Sequence, residues 1–255
     1  RYCGLTNSQC FNSVKILDSV VLYRRTMSMP AIRITVNQDI FAEKKQQAAE
    51  QRLAFTQRGT FVVNLVSSPG AGKTSLLQAT ARYWKDQFRV AVLVGDLATD
   101  RDAERLRPYV PVEQLTTGGA CHLELSLVQR GLSRLPQQQY DFLFIENIGN
   151  LVCPAEFDTG ADVNVVVLSV TEGEDKPLKY PLMFRVCHLA LISKTDLLPY
   201  LNLNLDLLHQ NMVKINPQLT IFPISAQRGD GLADLRTWLI EYKRWISDVA
   251  EYGQA

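Results

Sequence analysis

The sequence lacks an excess of either charge. Its 255 residues carry 27 Lys+Arg against 26 Asp+Glu, a formal net charge of +1. That balance argues against a nucleic-acid binder relying on a whole-chain basic field. No stretch reaches the roughly 18 consecutive apolar residues that a membrane-spanning helix needs. The apolar run at residues 14–23 is interrupted by Lys15 and Asp18, and no small-residue cleavage pattern follows it. A secretory signal is therefore not expected, and the compartment implied is the cytoplasm. Five Cys and three His are too few for a disulfide framework in a chain of this size. The odd cysteine count points to free thiols, redox chemistry or a metal site. Internal repeats and low-complexity tracts are also missing. What is present, 46% hydrophobic and 21% charged residues, is the composition of a folded soluble protein. The length suits one large α/β domain or two small ones.

Residues 1–26 read differently from the rest. They mix Cys3, Cys10, several Asn and Ser and a short apolar run, without sustained periodicity. Met27 and Met29 follow, and Ile32-Arg33-Ile34-Thr35-Val36 predicts a short strand. The expectation is an ancestral start at Met27 or Met29, with residues 1–30 a poorly ordered extension ahead of a domain spanning 31–255. Ala, Glu, Lys, Gln and Arg over residues 39–57 favour helix. Apolar, β-branched runs then fall at 61–66, 90–94, 142–145, 163–170, 189–192 and 219–224, with helix-like segments between several of them. This pattern predicts a three-layer α/β sandwich, a mostly parallel sheet with helices on both faces. The last helix carries Leu235, Trp238, Leu239, Tyr242, Trp245, Ile246 and Val249 at i, i+3, i+4 spacing, a stripe read as core packing.

The most specific signal is Val66-Ser67-Ser68-Pro69-Gly70-Ala71-Gly72-Lys73-Thr74-Ser75, directly after the run 61–66 and opening a helix-like stretch at 75–84. Strand, glycine-rich turn and helix are the context of a P-loop. Pro69, Gly70, Ala71, Gly72, Lys73, Thr74 and Ser75 are thus expected around nucleotide phosphates. Lys73 would reach the β and γ groups, and the Thr74 hydroxyl would bind Mg²⁺. The strict pattern has Gly where this chain has Ser67. Asp96 and Glu146 close two of the apolar runs, at the carboxyl ends where a parallel sheet gathers ligands. Both are candidates for holding Mg²⁺ or orienting an attacking water, which makes Lys73, Asp96 and Glu146 the expected catalytic set. Asp100 and Asp102 belong to the same segment as Asp96.

Ser193-Lys194-Thr195-Asp196 is close to the Asn/Thr-Lys-x-Asp element of GTPases. An Asp at the last position accepts guanine N1–H and the 2-amino group, donors that adenine does not present in that arrangement. Lys194 would lie over the base. Ser193 in place of Asn weakens the match, and Ser225-Ala226-Gln227 is similar to the Ser-Ala-Lys loop that meets the guanine oxygen. GTP is therefore expected over ATP.

Gly118-Gly119-Ala120-Cys121-His122-Leu123 precedes an apolar helical spacing at Leu125, Val128, Leu132 and Leu135. Cys121 and His122 thus fall at or near a helix N-terminus, whose field favours thiolate. Thiolate with imidazole suits Zn²⁺ or Ni²⁺ better than Mg²⁺. Cys153, a few residues beyond Glu146, adds a third soft ligand, and a symmetric dimer would double the set. Spacing alone leaves a metal role and a buried structural role both open. Cys187 and His188 open a strand, where neighbours point to opposite faces, and are read as structural. His209, Cys3 and Cys10 have no supporting context.

With these residues assembled, the chain resembles the HypB family of hydrogenase nickel-incorporation GTPases over roughly residues 31–245. The resemblance rests on the P-loop, on Gly95-Asp96 through Asp102-Ala103, and on Gly118 through Leu123. Its most diagnostic parts are Ile145-Glu146-Asn147-Ile148-Gly149-Asn150-Leu151-Val152-Cys153-Pro154 and Val170-Thr171-Glu172-Gly173-Glu174-Asp175-Lys176-Pro177-Leu178-Lys179-Tyr180-Pro181. It implies a slow Mg²⁺-dependent GTPase that dimerises with nucleotide and binds Ni²⁺ or Zn²⁺ through Cys121, His122 and Cys153. It also implies a HypA-type metallochaperone as partner and delivery of nickel to the large subunit of a [NiFe] hydrogenase. Lys176 is a weaker candidate for reaching across the dimer toward phosphate. The N-terminal cysteine motif and histidine tract of some members have no counterpart in this sequence. Rival readings are a urease-type nickel accessory GTPase, which usually shows a Cys-Pro-His order, a P-loop small-molecule kinase with structural cysteines, and a metal-responsive module using GTP as a switch.

Overall fold

The computed structural model describes residues 32–96 and 100–252. Contacts divide the chain into two units, Arg1–Lys44 and Lys45–Ala255. The extension expected at residues 1–30 lies outside the described residues, as do Cys3 and Cys10.

Helix α1 spans Ile32–Gln57, so the strand expected at 32–36 is helical instead. Helix growth from the Ala-, Glu-, Lys- and Gln-rich stretch adds one hydrogen bond per residue once a nucleus exists. β-branched residues oppose that extension only weakly.

Seven strands follow: β1 (Phe61–Ser67), β2 (Val90–Asp96), β3 (Val112–Thr116), β4 (Phe142–Gly149), β5 (Val163–Ser169), β6 (Leu189–Ser193) and β7 (Thr220–Pro223). They form one sheet in the order β3-β2-β4-β1-β5-β6-β7, and every pairing is parallel. The sequence runs foretell all but β3. That strand carries Glu113 and Gln114 and pairs only with β2 at the sheet edge, so it needs no continuous apolar run.

Between the strands lie α2 (Lys73–Tyr83), α3 (Arg101–Leu106), α4 (Leu125–Arg134), α5 (Lys176–Lys179), α6 (Pro181–Val186) and α7 (Leu205–Ile215), and α8 (Leu232–Tyr252) follows the last of them. Side-chain alternation splits the strands between two faces. Phe61, Val63 and Leu65 pack with Leu76 and Leu77 of α2, with Trp84 just beyond its end, and with Leu235 and Leu239 of α8. On the other face Val62, Leu143 and Ile145 meet Phe55, Val128 and Leu135. The α8 stripe reaches the core through Leu235 and Leu239 and packs partly through Trp238, Tyr242 and Ile246. Trp245 and Val249 are exposed, so the core-packing expectation does not extend to them.

Three amides, two of them buried and that of Asn164 half-buried, cross the sheet as a ladder. Asn147 Nδ2 donates to Asn64 Oδ1 at 3.2 Å, and Asn64 Nδ2 donates to Asn164 Oδ1 at 2.9 Å. Satisfied polar groups of this kind fix register, because a slipped strand would leave them unpaired in the core. Among the described residues, no helix is long and apolar enough to cross a membrane.

Candidate functional site

The turn between β1 and α2 holds Gly70 at φ 72° and Gly72 at φ 100°, left-handed values that a side chain would strain. Helix α2 begins at Lys73 without a side-chain cap, so its N-terminal field faces the cavity. Ser67, the departure from the strict motif, is wholly buried. Its hydroxyl accepts the Lys73 ammonium at 2.8 Å and donates to Ser68 O at 2.6 Å. Burial lowers the Lys73 pKa, and the charge of Glu146 opposes that drop.

A cavity of about 480 Å³ is lined by Pro69, Gly70, Gly72, Lys73, Thr74, Ser75, Asp96, Asp102, Arg105 and Glu146, among others. Thr74 Oγ1 donates to Glu146 Oε1 at 2.7 Å. Burial pushes the Glu146 carboxyl up to about 7, against the pull of the Lys73 ammonium and the Thr74 bond. Its other oxygen, Oε2, is buried without a hydrogen-bond partner.

A second cavity, of about 490 Å³, adjoins the first and is lined by Ala71, Gly72, Ser75, Ser193, Lys194, Asp196, Ala226 and Gln227, with Arg82 and Arg105 at its edge. Ser193 Oγ donates to Ala71 O at 2.6 Å and Lys194 Nζ to Gly70 O at 2.7 Å. Lys194 itself sits at φ 60°. Ser225, buried behind the cavity, donates its hydroxyl to Asp196 Oδ1 at 2.6 Å. The fold thus brings together the expected phosphate and base residues in two joined cavities. Sequence reading missed Arg105, which borders both, donates to Ser75 Oγ at 3.0 Å and lies 3.6 Å from Asp102. Its only sequence signal is its place three residues beyond Asp102.

Cys121 and His122 precede α4, and Cys153 follows β4. Cys121 Sγ and Cys153 Sγ are 2.7 Å apart, Cys121 Sγ is 4.0 Å from His122 Nδ1, and Asn150 Nδ2 donates to Cys153 Sγ at 3.4 Å. All three expected ligands therefore gather at one place. Among the described residues, however, no group of three or more His, Cys, Asp or Glu is arranged to hold a metal ion by itself.

Cys187 is buried, which raises its thiol pKa, and His188 Nδ1 accepts the Asn164 amide at 3.1 Å. These contacts fit the structural reading of that pair. His209 lies on α7, apart from these groups in sequence and element.

The thiol cluster and the phosphate cavity are joined through β4. Glu146 binds Thr74, and the adjacent Asn147 Oδ1 accepts the Leu123 amide at 3.3 Å. A Cβ at Gly149 would lie 2.8 Å from Pro69 Cα, so glycine alone allows β4 this close to the P-loop.

A parallel sheet with a P-loop at its carboxyl edge and two joined cavities defines a P-loop nucleotide-binding protein. The family model described as the CobW/HypB/UreG nucleotide-binding domain matches residues 61–223. The hydrogenase maturation factor HypB of Azotobacter vinelandii is 45% identical over 207 residues, covering 81% of this chain and 68% of that protein. The hydrogenase/urease maturation factor HypB of Helicobacter pylori is 41% identical over 216 residues, covering 83% and 88%. The crystal structure of Helicobacter pylori HypB in complex with nickel superposes with a TM-score of 0.76 at 40% identity, covering 80% of this chain and 97% of that one. The HypB structure from Archaeoglobus fulgidus gives 0.71 at 33% identity, covering 81% and 99%. This chain belongs to the HypB family of hydrogenase maturation factors.

Proposed function

We propose that the protein is a GTP-hydrolysing metallochaperone that carries nickel toward the large subunit of a [NiFe] hydrogenase. The observation that carries this reading is the sharing of β4 between two chemistries. One strand supplies the Glu146 carboxylate to the phosphate cavity and leads to the Cys153 thiol, and its Asn147 holds the backbone beside His122.

Asp196, its carboxylate fixed by Ser225, accepts guanine N1–H and the 2-amino group, while Lys194 covers the base and Ala226 and Gln227 close the edge. An acceptor left unpaired by adenine supplies the discrimination. Lys73 offers a buried positive charge to the β- and γ-phosphates, and the amides opening α2 add their field. Thr74, Asp96 and Glu146 would hold Mg²⁺. The fit is an all-oxygen donor set containing one buried carboxylate oxygen without a partner. When bound, the ion neutralises charge on the phosphates. Asp96 and Glu146 orient the attacking water.

Cys121, His122 and Cys153 form a soft half-site for Ni²⁺ or Zn²⁺. A symmetric dimer formed around GTP doubles the ligands and completes coordination. Hydrolysis then changes metal affinity through β4, and a HypA-type metallochaperone exchanges the cargo in the cytoplasm. Such coupling requires different metal affinities in the two nucleotide states.

Nickel titration of wild type and Cys121→Ala, with GDP or a non-hydrolysable GTP analogue, tests this while molecular mass is followed. Wild type should bind more tightly in one nucleotide state and as a dimer. Normal nickel binding by Cys121→Ala, or equal affinity in both states, overturns the proposal.

A further inference from the structure

We infer that His122 presents Nδ1 to the metal, with Glu124 accepting its Nε2 proton and Phe157 fixing the ring plane. The inference rests on the reading that Cys121, His122 and Cys153 hold the metal, and it assigns two positioning residues beyond them.

The two nitrogens of His122 face different surroundings. Nδ1 lies 4.0 Å from Cys121 Sγ. Metal–nitrogen bonds of about 2.0–2.1 Å and metal–sulfur bonds of about 2.3 Å, at a tetrahedral angle, put N and S roughly 3.6 Å apart. The observed separation needs only a few tenths of an ångström of adjustment. Nε2 is buried without a hydrogen-bond partner, and the nearest charged acceptor is Glu124 Oε1 at 3.7 Å. An ion on Nε2 would have to enter this buried side of the ring, the side that faces Glu124. A buried ring N–H turned toward a carboxylate is instead the outer-shell arrangement that fixes tautomer and raises ligand basicity.

Ring orientation is settled by a second contact. The His122 and Phe157 rings are stacked, with centroids 3.5 Å apart and planes at 14°. Phe157 is held from the other side of its segment. Arg52 Nη2 donates to both carboxylate oxygens of Asp158 at 2.9 and 3.0 Å, and its Nε donates to Ala161 O at 2.8 Å. A bidentate arginine fork gives geometric specificity as well as attraction. It therefore places the aromatic ring that in turn sets the imidazole. The ring is therefore the prepared ligand of the set.

Zinc keeps the protein diamagnetic, and only three His are present, so long-range ¹H–¹⁵N imidazole spectra of the zinc-loaded full chain read the ligand atom directly. His122→Gln assigns the signals. Zinc should shift Nδ1 of His122 and leave Nε2 protonated. Glu124→Ala should weaken zinc binding about tenfold, at the lower end for an outer-shell partner, while Glu124→Gln keeps an acceptor and recovers most of it. Phe157→Leu should lose a similar factor and broaden the His122 signals, and Phe157→Tyr should restore both. GDP affinity reports that each variant is folded, and the Glu124 pair decides the matter should Phe157→Leu not fold. Zinc on Nε2, or wild-type affinity and spectrum in Glu124→Ala, overturns the inference. Normal zinc binding by Cys121→Ala overturns the underlying ligand assignment instead.

Discussion

Replacing Glu146 by Gln separates the charge of this side chain from its shape. The residue is 4% exposed. Its Oε1 accepts the Thr74 hydroxyl at 2.7 Å, which a glutamine oxygen can still do, and its Oε2 has no partner. Burial lifts the carboxyl from 4.5 to about 7. A carboxyl raised on folding stabilises the fold below its unfolded pKa and loses that contribution as pH rises through the folded one. Between pH 5 and a folded value of about 7, at about 1.36 kcal/mol per pH unit, wild type forfeits ~3 kcal/mol. Gln mimics the protonated acid and forfeits nothing. The two proteins, stripped of nucleotide, should therefore be similarly stable at pH 5. At pH 8 the variant should lead by ~3 kcal/mol in urea unfolding. Phosphate release from GTP should fall about a hundredfold or more, because the oxygen that holds the ion or orients water is gone. A stability gap that does not change between pH 5 and pH 8 would refute the buried-carboxylate account. Undiminished turnover would remove Glu146 from the catalytic set.

The single donor of Ser193 is committed to Ala71 O, whereas Asn has two donors. Ser193→Asn should therefore tighten GDP binding about fivefold by adding one hydrogen bond, measured by fluorescent-nucleotide titration. Arg105→Ala should weaken GDP and GTP-analogue binding about tenfold, with Arg105→Lys between, as expected for loss of one charge-assisted contact; unchanged affinity would place Arg105 outside the nucleotide's reach. Asn147→Ala leaves the Leu123 amide and Asn64 Oδ1 unpaired. It should cost about 1–3 kcal/mol of stability and shrink the difference in nickel affinity between nucleotide states. Isothermal titration in both states would count against β4 as the connection if that difference persisted.

What could be read from sequence was local. The P-loop joins contiguous residues to one strand and one helix, so Lys73 and Thr74 were visible without a fold. Asp96 and Glu146 were visible because they close apolar runs. The features that escaped depend on pairs distant in the chain. The amides of Asn64, Asn147 and Asn164 look like isolated polar interruptions until the sheet places them side by side. Phe157 is an unremarked loop aromatic until it stacks on His122. β3 was missed because edge burial leaves no apolar signature. The error at residues 32–36 is of the opposite kind, with β-branched residues carried into a helix by the segment that follows them.

The two sulfurs do not hang from equivalent parts of the sheet. β4 is hydrogen-bonded to β1 on one side and β2 on the other, and Cys153 follows it after three residues. Cys121 sits in the connection between the edge strand β3 and α4. Interior strands open only with the whole domain, while edge strands and connections open far more cheaply. The two thiols are therefore tied to parts of the sheet that open at different cost, so a local opening on the β3 side parts Cys121 from Cys153 while the interior strands stay paired. Amide hydrogen exchange would show the asymmetry as slow β4 beside faster β3.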